Sequence, residues 1–179
     1  MSLQWISIIL GILALAGGLM GVFRPDLARR FMELFPRSVV PAWIFTALCC
    51  WLGAKEAAAM NMGAVDIIKP FILFIAVGVF AASVIYMKEL LAARALGGFL
   101  LLLAVPIIKT AAFSGAPLFQ ILVAVIYLWV IAGIVLLLSP WYFRKSCAPF
   151  IEKPALLKTA SAVKVAVGVM FILLGIFVY

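Results

Sequence analysis

Residues 118–138 read LFQILVAVIYLWVIAGIVLLL, with no charged side chain. As a helix rising about 1.5 Å per residue, the stretch extends roughly 30 Å, the thickness of a bilayer's hydrocarbon core. Comparable runs occupy Leu3–Phe23, Val39–Ala54, Ile67–Met87, Leu90–Ile108 and Leu156–Tyr179. A membrane β-barrel would instead show polar and apolar residues alternating in segments of about 10. The continuous runs point to an all-α polytopic bundle of about six transmembrane helices, occupying 1–179 as a single membrane domain.

Composition agrees. Of the 179 residues, 69% are hydrophobic and 11% charged, against about 45–50% and about 25% in a soluble domain. The net charge of +8 arises from 14 Lys+Arg against 6 Asp+Glu. These charges lie in short gaps between apolar runs, so they suit anionic lipid head groups rather than nucleic acid. With six spans, the gaps after runs one, three and five hold Arg24, Arg29, Arg30, Arg37, Lys88, Arg94, Arg144, Lys145, Lys153 and Lys158. The opposite gaps hold Lys55, Lys69 and Lys109. The positive-inside rule makes the first set cytoplasmic and both termini external, in a membrane expected to be the bacterial inner membrane. No basic segment precedes the first run and no small-residue cleavage site follows it, so it is expected to be a retained span, not a signal peptide.

Two connections read as short interfacial amphipathic helices. In the first, Pro25 suits an initial helical turn and Asp26 suits the positive end of the dipole. Leu27, Phe31, Leu34 and Phe35 form one apolar stripe, with Arg29, Arg30, Glu33 and Arg37 on or near the other face. Asp26–Arg30, Arg29–Glu33 and Glu33–Arg37 are spaced to pair, and Pro36 closes the helix. The second has Ser139 as a cap and Pro140 at the start. Trp141, Tyr142 and Phe143 serve as head-group-level aromatics, then come Arg144 and Lys145, with Pro149 and Pro154 ending it. The plan of span, interfacial helix and span thus occurs over 3–54 and again over 118–179, with a hairpin at 67–108 between. This is either an internal repeat or the ordinary form of a basic connection.

Pro140, the stretch Trp141–Lys145, the return through Pro154 and the spacing of Gly168 and Gly175 resemble a small, functionally uncharacterised bacterial inner-membrane family built as a two-helix hairpin. The resemblance covers the last third of the chain and implies a hairpin shape without an activity.

The chain has no histidine, which removes the commonest general base and metal ligand. No carboxylate lies deep in an apolar run, where a proton relay or cation site would place one. Phosphate loops, acidic metal motifs and serine elbows are missing from the sequence. Neither an enzyme nor a cofactor is expected. Cys49, Cys50 and Cys147 read as free thiols. Lys164, inside the last run, either snorkels to the interface or faces a polar cavity that binds an anion or lipid head group. Lys109 is an interface anchor or the rim of that cavity. Pro106 ends the fourth helix or, with Ser114–Pro117, breaks it into a re-entrant turn. Ala14, Gly17, Gly18, Gly21, Gly168 and Gly175 are candidate helix-packing positions. The leading expectation is an accessory, scaffolding or oligomer-forming subunit that packs with itself or another membrane protein. The alternative is a small transporter or channel for an anion or lipid, using Lys164 and a helix broken near Pro106.

Overall fold

The computed structural model describes residues 2–61, 63–86 and 91–179. They form eight α-helices and no strand: α1 (Leu3–Phe23), α2 (Pro25–Leu34), α3 (Val39–Ala59), α4 (Ile72–Tyr86), α5 (Leu91–Phe113), α6 (Phe119–Leu138), α7 (Trp141–Glu152) and α8 (Pro154–Phe177). Six are long and apolar enough to cross a bilayer, counting α4 with its lead-in from Asp66. The architecture is an all-α bundle, and the chain is a membrane protein.

The bundle is built on two antiparallel helix pairs. In the first, α1 lies along α8 with small residues at seven-residue intervals on the facing stripe: Gly11 and Gly18 on one helix, Ser161, Gly168 and Gly175 on the other. A Cβ on Gly11 would sit 2.8 Å from the Gly168 carbonyl oxygen, and one on Gly168 would sit 2.8 Å from the Leu15 amide nitrogen. The backbones are therefore in contact, as happens where lipid leaves packing as the main attraction between helices. The buried Ser7 hydroxyl donates across the seam to the Phe171 carbonyl at 2.7 Å.

The second pair repeats the device. A Cβ on Gly97 of α5 would stand 2.7 Å from the Gly133 carbonyl oxygen of α6. Ala104 and Ala111, at the same spacing along α5, are buried, as are Leu122 and Ile126 opposite. A seven-residue repeat keeps one stripe facing the partner in a left-handed crossing. The main apolar core lies where the two pairs meet, around Leu3, Leu10, Ala104, Ile107, Leu122, Ile126 and Phe171.

The remaining spans are less enclosed. Only Ala42 and Thr46 are buried on α3, which packs against α5 and α4. No residue of α4 is buried. The plan of span, short helix and span recurs in α1–α2–α3 and α6–α7–α8, yet the tertiary packing differs: α1 takes α8 as its partner, whereas α3 packs chiefly on α5 and α4.

Several expected boundaries are corrected. Pro106 neither ends nor breaks the fourth helix, because α5 continues through it to Phe113. Proline costs that helix one N–H bond. In an apolar setting, however, the other backbone groups have no partners outside the helix, and the Thr110 hydroxyl bonds back to the Pro106 carbonyl at 2.8 Å. Pro149 likewise lies inside α7, which ends at Glu152. Ser139 makes no side-chain cap, and Pro140 occupies the N-cap position of α7. The third span opens as a 3-10 segment, Gly63–Phe71, containing Pro70. The three charge pairs expected along α2 do not form. Among the described residues the ion pairs are Lys69–Asp66 at 3.0 Å and Lys109–Glu56 at 3.5 Å. Exposed carboxylates and guanidinia gain too little from pairing to fix their rotamers. Lys88 and Glu89 lie outside the described residues.

The α1–α8 seam gives a direct test. Gly168→Ala must push two backbones apart and is expected to destabilise the protein by about 1–3 kcal/mol in denaturant titrations in mixed micelles. Gly78→Ala on α4, where an added Cβ meets nothing within 4 Å, is expected to leave the transition in place. Equal transitions for the two variants would show that the seam is not close-packed.

Candidate functional site

Two regions stand out: a basic platform at one end of the bundle, and a largely apolar slot whose Arg94 end lies nearest to it. The first is a platform made by α2 and α7. Arg24 ends α1 and starts the turn into α2, its amide donating to Met20 and its carbonyl accepting from Ala28. Pro25 occupies the first turn of α2 and Asp26 follows it, as the sequence requires. Phe35, 5% exposed, then anchors the platform. Its ring lies 5.4 Å from Phe143 of α7, 5.5 Å from Phe31 and 6.0 Å from Phe45 of α3. Phe143 thus packs inward instead of sitting in an aromatic belt. Trp141 and Tyr142 are exposed and stacked at 4.2 Å, with the Lys145 ammonium over both rings at 5.2 and 5.6 Å.

The five basic residues read from the sequence, Arg29, Arg30, Arg37, Arg144 and Lys145, all belong to this platform. Arg37, Arg144 and Lys145 line a polar hollow of about 610 Å³ between the two helices, where Glu33 and Glu152 also reach the surface. Arg29 is half-buried, and its Nε is enclosed without a hydrogen-bond partner. Cys147 lines the same hollow, and burial pushes its thiol pKa above the usual value of 9.0.

The second region is a slot of about 650 Å³ between α3, α4 and α5. Thr46, Cys50 and Ala57 mark one wall, Ile75 and Val79 the second, and Ala95 and Gly98 the third. The polar groups on the α3 wall are already engaged. The Thr46 hydroxyl donates to the Ala42 carbonyl at 2.7 Å, and the Cys49 thiol donates to the Ala95 carbonyl at 3.2 Å. Arg94 stands at the end of the slot nearest the platform, with its Nε enclosed and unbonded.

The two candidate lysines are not brought together. Lys109 lies at the opposite end of the bundle, paired with Glu56. Lys164 is exposed on α8, and its Nζ lies 3.8 Å from where a Cβ on Gly17 would be. Neither lines the slot or the hollow. Gly17 is therefore on an exposed face, and Ala14 is half-buried, while Gly18, Gly21, Gly168 and Gly175 are in the α1–α8 seam. All three cysteines are free.

Sequence reasoning missed Arg94 as a site residue and missed Ser7, Gly11, Gly133 and Ser161 as packing residues. The small residues carried a signal in their seven-residue spacing. Arg94 carried one in its position: it stands inside the fourth apolar run, not in the gap before it.

Compared with known proteins, the chain matches no family model, no curated protein and no solved structure. Fold and composition define the class, a small polytopic α-helical membrane protein, and its function has to be argued from its own residues.

The thiol of Cys147 tests the geometry of the platform. Because the thiolate is the reactive form, a raised pKa means slow alkylation at neutral pH, with the rate still climbing above pH 9.0. In a variant with Cys49 and Cys50 replaced by serine, a maleimide rate that levels off below that pH would contradict the burial of this residue.

Proposed function

We propose that the chain is an accessory membrane protein of the bacterial inner membrane. It fixes itself to the anionic cytoplasmic leaflet through the α2–α7 platform and offers its α3–α4 side to a neighbouring membrane protein. The observation carrying this reading is the platform itself. Two interfacial helices far apart in sequence are joined by the Phe35–Phe143 contact at 5.4 Å, and their cations gather at one end. Basic residues beside an anionic leaflet contribute about 1 kcal/mol each, so five of them hold the bundle at a fixed depth and orientation. Both termini then face outward. Their shared side is supported by Gly175 packing against Gln4 and Ile8, and by the Tyr179 hydroxyl donating to Leu118 at 2.9 Å.

The glycine seams are consumed inside the chain, so assembly falls to the faces left open. Among the spans, α3 and α4 are the least buried, with Trp43, Ile44, Leu73 and Phe74 exposed. A conduit through Lys164 and a break at Pro106 has lost its two supports, since Lys164 is exposed and α5 is continuous.

Cross-linking in native membranes from photoreactive residues placed at Phe74 and Trp43 tests the reading. Adducts to a second membrane protein, or to another copy, are expected from these positions and not from the α1 face at Leu13. A species that stays monomeric and unlinked in membranes, and co-purifies with no protein in mild detergent, would overturn the assembly role. Impermeant thiol reagents are expected to reach a cysteine placed at Ser2 in intact cells, while Cys147 stays protected until the membrane is opened. The reverse pattern would overturn the orientation.

A further inference from the structure

The slot between α3, α4 and α5 has the length of a lipid tail. From Thr46 to Ala57 along α3 it runs about 16 Å at 1.5 Å per residue, close to the roughly 15 Å that one leaflet contributes to the hydrocarbon core. With the Thr46 and Cys49 side chains bonded to backbone carbonyls, its α3 wall presents apolar surface to whatever enters. α4, with no buried residue, closes the slot loosely, so a lipid can enter sideways from the bilayer.

At one end the apolar wall gives way to Arg94. Its Nε is shut away from solvent, and among the described residues it has no hydrogen-bond partner and no acidic residue lines the slot; α4 carries no charge. Arg94 as a whole is half-buried, and only its Nε is enclosed. Its planar fork of donors is matched best by a carboxylate or a phosphate. A second copy of the chain could not supply a carboxylate from its spans at that end. α1, α4, α5, α6 and α8 contain none, and Glu56 of α3 is at the far end, paired with Lys109.

We propose that this slot is a binding site for an anionic membrane phospholipid, with one acyl chain between α3, α4 and α5 and the head-group phosphate on Arg94. The site is independent of the assembly role. A monomer that keeps its lipid would remove the latter and leave the former standing.

The test uses the full-length protein in micelles or nanodiscs, with phosphatidylglycerol and phosphatidylcholine as probes and native mass spectrometry as the readout. The wild type is expected to retain about one phosphatidylglycerol per chain, favoured about tenfold or more over phosphatidylcholine, the scale of a hydrogen bond to a charged group. Arg94→Gln is expected to bring the two lipids to parity, and Lys158→Gln, an exposed cation on α8, to change nothing. Ala76→Phe, which fills the slot from α4, is expected to abolish retention of both. A measurement on the wild type guards against variants that fail to fold: phosphatidylglycerol with a photoreactive group on its acyl chain is expected to label Cys50, Ile75 and Val79. Preference unchanged in Arg94→Gln would overturn the proposal. So would labels confined to α1 and α6, or cross-links placing a second chain's helix in the slot. Inorganic phosphate that protects the wild type as well as the lipid does would reduce the site to an anion site and overturn its lipid character.

Discussion

Everything in this bundle depends on backbone meeting backbone where side chains have been reduced to almost nothing. Helices already surrounded by lipid gain little from hiding apolar surface against each other, so they associate through close contact and a few polar links. Gly11 on Gly168 and Gly97 on Gly133 supply that contact, and Ser7 supplies the polar link at 2.7 Å. Both pairs use a seven-residue interval, so both cross in the same sense and can lie side by side with their larger residues meeting in the common core. The closest-packed parts of the molecule are therefore the α1–α8 and α5–α6 pairs, with α3 packed on α5 and α4 on α3.

That division of labour places the polar chemistry. A packed frame has no room for a ligand, whereas the looser α3–α4 arm leaves a slot along α5. The aromatic chain from Phe31 through Phe35 to Phe45, continued by Phe45–Phe99 at 5.4 Å, ties α2 to both α3 and α5. The basic platform and the mouth of the slot consequently share one end of the bundle. In the proposed orientation that end meets the anionic leaflet, so the same electrostatics that set the depth of the protein also concentrate the proposed ligand beside Arg94.

How much of this was legible in the sequence depends on which interaction decided each feature. Span positions follow from hydropathy alone, and the runs from Leu3, Val39, Leu118 and Leu156 coincide closely with α1, α3, α6 and α8. Proline was overread. Pro106 would break its helix only where water can take up the freed groups, and here α5 continues past it, as α7 runs three residues past Pro149. Of the Gly17–Gly21 pair only Gly21 lies in the seam, together with Gly18, Gly168 and Gly175, which were also read as packing positions. The seam follows Gly11 and Gly18, a period that becomes informative only once the matching period in Ser161, Gly168 and Gly175 is set against it. Arg94 was visible as a cation inside an apolar run, but its place at a slot was not, because such a cation has the same sequence signature whether it snorkels to the surface or lies against a helix from elsewhere in the chain. Lys164, the more conspicuous cation in the sequence, turned out to be exposed.

The seam between α1 and α8 also has a consequence in time. Ser7 and Phe171 stand 164 residues apart, so α1 enters the membrane well before the helix it must clasp has been synthesised. Until then its glycine stripe and the Ser7 hydroxyl are open to acyl chains, or to any other helix with small side chains nearby. The intervening helices can insert and begin to pair locally, α5 with α6 above all, while the ring stays open. The seam can close only after α8 has been made, and until then α1 is exposed to competition from strangers. A chain of this design is vulnerable less to thermal unfolding once complete than to mispairing during the interval in which it is still being made.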